Sequence, residues 1–278
     1  MLANRPEPPP GVRRDRALTG PTGVDALSVV HLGQAAAVLA TRSGTLVPVT
    51  AGPAGLVPGG FGVPDRAALA PVLARWSEPA DGHRAAEIDL RAWYAAAVPV
   101  ELGIGAVARA GSTATQLAEL DRGLPEPPSR AAGFDPGERA AELARAAVEA
   151  HTELDACVAT TVGAGIGTTP AGDDLICGVL AGLDLLGLAG AHRRLGAAVA
   201  PLLPATTRSS RHLLAAAAAG RYTEGLLGLA AALASGSALA VRAALAVLRR
   251  WGASSGLDQA VGFAAAVRVG TRVGVSTR

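Results

Sequence analysis

A chain of 278 residues is long enough for one large domain or two modest ones and can build a core without disulfide or metal staples. Half of it is apolar and only 3% aromatic, so the core is expected to consist of small aliphatic side chains in closely packed helices. The 25 basic residues, all arginine, are interspersed with 23 acidic ones for a net charge of +2, which leaves no nucleic-acid footprint. The absence of lysine also excludes a Walker-type phosphate lysine, a Schiff base and a lysine-bound cofactor.

In chain order, residues 1–25 read as a disordered tail, with Pro6, Pro8, Pro9 and Pro10 followed by Arg13, Arg14 and Arg16. Residues 26–122 read as a β-rich region. Apolar and β-branched runs at Leu27–Leu32, Ala35–Thr41 and Thr45–Thr50 predict strands, with a hairpin turn at Ser43-Gly44. Gly55 to Pro64 reads as a loop, Asp65 as the cap of an Ala-rich segment reaching Trp76. Charged and apolar residues alternate around Glu87–Tyr94, and Val98–Val100 and Gly103–Ala110 are further strand candidates.

A Pro-rich break from Gly123 to Gly137 separates this region from a helical one, 138–278. Helical periodicity covers Glu138–His151 and then roughly 175–190, 192–203, 208–220, 223–235, 237–250 and 257–270. The expected fold class is α+β, a small β-rich N-terminal part followed by a mostly α-helical C-terminal part. The longest apolar run, Leu175 to Ala191, is broken by Asp184 and four glycines and falls short of the about 20 residues a membrane span requires. Cys157 and Cys177 lack metal or redox spacing and are expected to be free thiols of a cytoplasmic protein. The five histidines have no zinc spacing, and no G-x-S-x-G elbow is present.

The chemistry concentrates at Val162-Gly-Ala-Gly-Ile-Gly-Thr-Thr-Pro-Ala-Gly-Asp-Asp174. Gly163, Gly165 and Gly167 permit positive φ and close ligand approach, with Thr168 beside them. Thr169 is expected to be the N-cap and Pro170 the first residue of a helix. Such a start exposes backbone N–H groups that can hold phosphate or carboxylate. Asp173 and Asp174, one turn in, are the candidate catalytic pair and candidate Mg²⁺ ligands, with Gly172 beside them. The purely structural alternative is a capped helix with acids at its favourable end.

Gly172, Asp174 and Gly178 fall at offsets 0, 2 and 6, and Gly256, Asp258 and Gly262 repeat them after Ser254 and Ser255. Two similar helix starts facing one pocket would explain the repeat; chance is the alternative. Between them, Thr206-Thr207-Arg208-Ser209-Ser210-Arg211 reads either as a helix cap or as an anion site, with Arg208 or Arg211 as bidentate donor. The anion-binding set is therefore Gly163, Gly165, Gly167, Thr168, Thr169, Gly172, Thr206, Thr207, Arg208, Ser209, Ser255, Gly256 and Asp258.

The stretch Gly163 to Gly178 resembles the AllH-like family, a bacterial family of unknown function that includes a subunit of oxamate carbamoyltransferase. Its pattern G-x-G-x-G-x-T-P-x-G-D-D is met here with Thr168 in place of a leucine and Ile176-Cys177 in place of other small apolar residues. The resemblance continues through Thr206-Thr207-x-Ser209 and Gly252-x-x-Ser255-Gly256-x-Asp258. It implies carbamoyl transfer between oxalurate and phosphate, giving oxamate and carbamoyl phosphate, in company with partner subunits. The residues alone leave three readings: an enzyme subunit acting on a small carboxylate or phosphate, a non-catalytic anion-binding or regulatory subunit, and a Mg²⁺-dependent hydrolase. Homo-oligomers are compatible with each, and neither nucleic acid nor membrane is an expected partner.

Overall fold

The computed structural model of the protein describes residues 7–18, 27–32, 36–52, 55–69, 85–86, 90–104, 114–124 and 135–276. It is α+β and divides into two compact units, Met1–Leu102 and Gly103–Arg278. Among the described residues no helix is long and apolar enough to cross a membrane.

The first unit is built on one mixed sheet. Its strands are β1 (Arg13–Asp15), β2 (Leu27–Leu32), β3 (Ala36–Ala40), β4 (Leu46–Ala51), β5 (Phe61–Val63), β6 (Ala85–Ala86) and β7 (Val98–Val100), in the order β6-β2-β3-β4-β5-β1-β7. β2, β3 and β4 form the antiparallel meander that alternating apolar runs predict, with Gly44 at positive φ in the expected turn. β4 is central and buried along its whole length, and pairs in parallel with β5.

Two expectations are corrected in this unit. Arg13–Asp15, placed in a disordered tail, is a strand between β5 and β7, because Val12 is buried and Asp15 accepts hydrogen bonds from the Gly59 and Ala17 amides (2.6 and 2.9 Å). Phe61–Val63, read as loop, is β5; only three residues stand between Gly60 and Pro64, too few for an alternation to register. Leu90–Ala96, in the stretch where charged and apolar residues alternate, is helix α1, its buried Leu90 and Trp93 three apart and Trp93 edge-on to Phe61 at 5.7 Å. Asp65 accepts from the Ala68 amide at 2.8 Å at the start of a helical turn, whose expected extension to Trp76 lies outside the described residues. Of the strand candidate Gly103–Ala110, Gly103 bridges to Arg221 and 105–110 lie outside the described residues, as does most of the Pro-rich break.

The second unit consists, among the described residues, of α2 (Ala114–Gly123), α3 (Pro136–Val148), α4 (Leu154–Ala159), α5 (Ala171–Leu185), α6 (Ala189–Val199), a 3₁₀ turn (Ala200–Ala205), α7 (Arg208–Ala218), α8 (Glu224–Ala234), α9 (Ala238–Leu248) and α10 (Ser255–Ser276). The predicted helices recur within a few residues. Their starts follow capping chemistry: Asp135, Thr207, Thr223 and Ser237 each accept a first-turn amide through the side chain. α5 is apolar all round and is accordingly the buried axis of the unit, with α10 laid along it and α3, α7 and α8 around it. Its interrupting Asp184 accepts a hydrogen bond from the Tyr222 hydroxyl (3.2 Å), which His192 contacts in turn (3.0 Å).

Candidate functional site

The glycine loop is a tight bridge between α4 and α5. Gly163, Gly165 and Gly167 have φ of +75°, +115° and +97°, so all three occupy the conformation the sequence demands of them. Gly165 also packs so closely that a Cβ there would lie 2.8 Å from the Ala171 nitrogen. The tip is open: nothing approaches a Cβ at Gly167 within 4 Å, and Ile166 is 95% exposed.

The expected cap is corrected by one residue. Pro170 is the cap, at φ −54° and ψ 144°, and α5 begins at Ala171. The cause is a division of labour. The Thr169 hydroxyl pairs with that of Ser255 (2.7 Å), while the loop's own Ala164 carbonyl accepts the Gly172 amide (2.8 Å). Pro170 O accepts from the amides of Asp173 and Asp174 (3.0 and 3.3 Å). First-turn amides of α5 that were expected to face a ligand are thus satisfied from within, and the polar groups at the loop's foot are mainly hydroxyls.

The two aspartates diverge although adjacent. Asp173 serves the loop, accepting from the Gly163 amide at 2.8 Å and from the Thr206 hydroxyl at 2.5 Å. Asp174 turns to α10: Oδ1 accepts from Gln259 Nε2 (3.0 Å), with the Ser255 hydroxyl near this carboxyl. Its Oδ2 is buried without a hydrogen-bond partner. Burial pushes the Asp174 carboxyl well above the usual carboxylate range, against the opposing effect of Gln259 and Ser255. Asp258 is half-buried and is also raised by burial, with Ser254 opposing. Among the described residues no three His, Cys, Asp or Glu side chains gather as a metal site.

The repeated spacing does the same packing twice. A Cβ on Gly172 would lie 2.0 Å from Thr161 O, at the end of the preceding helical segment, and one on Gly256 2.0 Å from Leu248 O, at the end of α9. A Cβ on Gly178 would lie 2.0 Å from Gln259 O and one on Gly262 2.1 Å from Leu175 O, so each offset-6 glycine meets the offset-3 carbonyl of the other helix. Gly182 against Ala266 and Gly270 against Leu186 continue the seam. Residue numbers rise together along it, so α5 and α10 run parallel, related by a local twofold, with both N-termini at one end. Two positive dipole ends then lie side by side, and Asp173, Asp174 and Asp258 in the first turns complement them.

Two further helix starts join this end. Thr207, the cap of α7, donates to Thr168 O (2.6 Å), and Thr223, the cap of α8, donates to Gln259 Oε1 (3.2 Å). Thr168, Thr169, Thr206, Thr207, Ser255 and both aspartates are therefore brought together. Arg208 and Ser209 stand on the outer start of α7, Arg208 exposed. Arg211 spends its guanidinium on the carbonyls of Leu203, Pro204 and Thr206. Gln259 and Thr223 are the members that sequence reasoning missed; the signal was a lone glutamine in the apolar sequence of α10, one residue after Asp258.

An open groove of about 670 Å³ lies elsewhere in this unit, lined by His151, Leu154, Asp155, Arg194 and Leu202 among others, and holds none of the motif residues. Its Arg194 donates to Ala147 O and Val148 O at the end of α3.

No curated protein and no solved structure matches the chain. Residues 161–267, from the foot of the glycine loop to Val267 in α10, match the family model of oxamate carbamoyltransferase subunit AllH, the family its glycine-rich motif resembles.

Proposed function

We propose that this chain is a subunit of an oxamate carbamoyltransferase-type enzyme and that its helical unit binds a small carboxylate or phosphate anion where α5, α7 and α10 begin. The observation that carries the reading is the coincidence of two boundaries. The family match begins at Thr161 and ends at Val267, and every member of the hydroxyl and carboxyl network lies within it.

The chemistry suits oxamate, oxalurate or a carbamoyl phosphate group. The hydroxyls of Thr169 and Ser255, the exposed backbone of Gly165–Thr168 and the Arg208 guanidinium offer donors, so positioning and charge stabilisation are the contribution. Carbamoyl transfer then proceeds with partner subunits, as the family's description as a subunit suggests.

A thermal-shift series with phosphate, carbamoyl phosphate, oxamate and oxalurate, with and without Mg²⁺, tests this. A ligand at 100 times its Kd adds about 2.7 kcal/mol. Stabilisation that vanishes in the Thr169→Val, Ser255→Ala double variant supports the reading; no stabilisation by any of the four, or stabilisation unaffected by the double variant, refutes it. Binding without turnover even beside partner subunits would favour the regulatory reading. Hydrolysis that requires Mg²⁺ would favour the hydrolase.

A further inference from the structure

The sequence pairs Asp173 with Asp174, but the geometry pairs Asp174 with Asp258. Each stands at offset 2 of its motif and four residues before a glycine whose Cβ direction runs into the opposite helix, Gly178 toward Gln259 and Gly262 toward Leu175. Residues four apart share a helix face, so both carboxyls emerge from the facing sides of the parallel pair at its N-terminal mouth. Asp174 is 1% exposed. Its Oδ2 and the Oδ2 of Asp258, at matching positions of the two motifs, are both buried without a hydrogen-bond partner. The large majority of buried side-chain polar atoms are partnered, and a bound ion or water is one explanation of an orphan.

We infer that a divalent cation of the Mg²⁺ class binds between Asp174 Oδ2 and Asp258 Oδ2, on the local twofold axis of α5 and α10. Mg²⁺ is characteristically held by one or two carboxylates while it keeps several waters, which this pair matches without further acidic ligands. Ser255 and Ser254, close to Asp174 and Asp258 respectively, supply hydroxyl oxygens beside it. Asp173 takes no part, both its oxygens being held by Gly163 and Thr206. Burial that disfavours two like charges here is the condition a cation relieves.

This inference does not depend on the anion reading, since the ion is titrated alone. Calorimetry with MgCl₂ and manganese paramagnetic resonance on the whole chain are expected to give one ion per chain. Asp258→Asn and Asp174→Asn should each weaken binding about tenfold or more, whereas Asp155→Asn, at the exposed groove away from this mouth, leaves it unchanged. Should Asp174→Asn fail to fold, Asp258→Asn, at a half-buried position, decides alone. Absence of Mg²⁺ and Mn²⁺ binding, or binding that survives Asp258→Asn, overturns the site.

Discussion

At the scale of single residues, polar side chains at the start of α5 are tied to one another and to the loop backbone. The Thr206 hydroxyl has one task, holding Asp173 against the loop. Thr206→Val therefore strands a charge-assisted partner and is expected to lower stability by about 1.5–3 kcal/mol in urea unfolding; a change within error would mean that the loop is held otherwise. The thiols make a second test. Cys177 is buried, and its thiol is pushed well up by desolvation and by the nearby charges of Asp174 and Asp173. Cys157 is half-buried, with its thiol raised less and opposed by Arg139. A thiol reagent at pH 8 should modify Cys157 in the native chain and reach Cys177 only after denaturation, read by counting labelled sites by mass. At this scale Gly163, Gly165 and Gly167 were legible because only one residue type has their freedom. The roles of Asp173 and Asp174 were not: adjacency in sequence suggests a pair, whereas consecutive helical residues point about 100° apart.

Among elements, α5 and α10 show how glycine can be forced by packing and not by φ. Gly178 and Gly262 sit in helix interiors, where glycine costs about 0.5–1 kcal/mol relative to alanine, yet a methyl group at either would strike the opposite backbone. Gly178→Ala and Gly262→Ala should each destabilise by about 1–3 kcal/mol or more. Gly228→Ala in α8, where nothing lies within 4 Å of the added Cβ, should stabilise by about 0.5–1 kcal/mol. Thermal unfolding of the three variants checks both signs, and a stabilised Gly178→Ala would disprove the close seam. Long helices could be read ahead because period and caps agree over several turns, as in α3 with Asp135 and Pro136. β1, β5 and α1 could not, since three to seven residues are too few to express a period and tertiary pairing decides them. The repeated Gly-Asp-Gly spacing was visible, but its reciprocal packing was not, because sequence cannot state that the two helices are parallel neighbours.

For the molecule as a whole, the chemistry-bearing motifs fall in the helical unit, and the family match lies wholly inside that unit. Four helix starts meet there through Thr169, Thr207, Thr223 and Ser255, and a ligand seated among them should be felt by all of them at once. Hydrogen exchange read by mass spectrometry, with oxamate, oxalurate and carbamoyl phosphate each added to the chain, is the most direct test of where that ligand sits. The account predicts slowed exchange together in 163–174, 206–211 and 254–259. Protection confined to the groove at His151 and Arg194, or no protection with any of the three ligands, would contradict it.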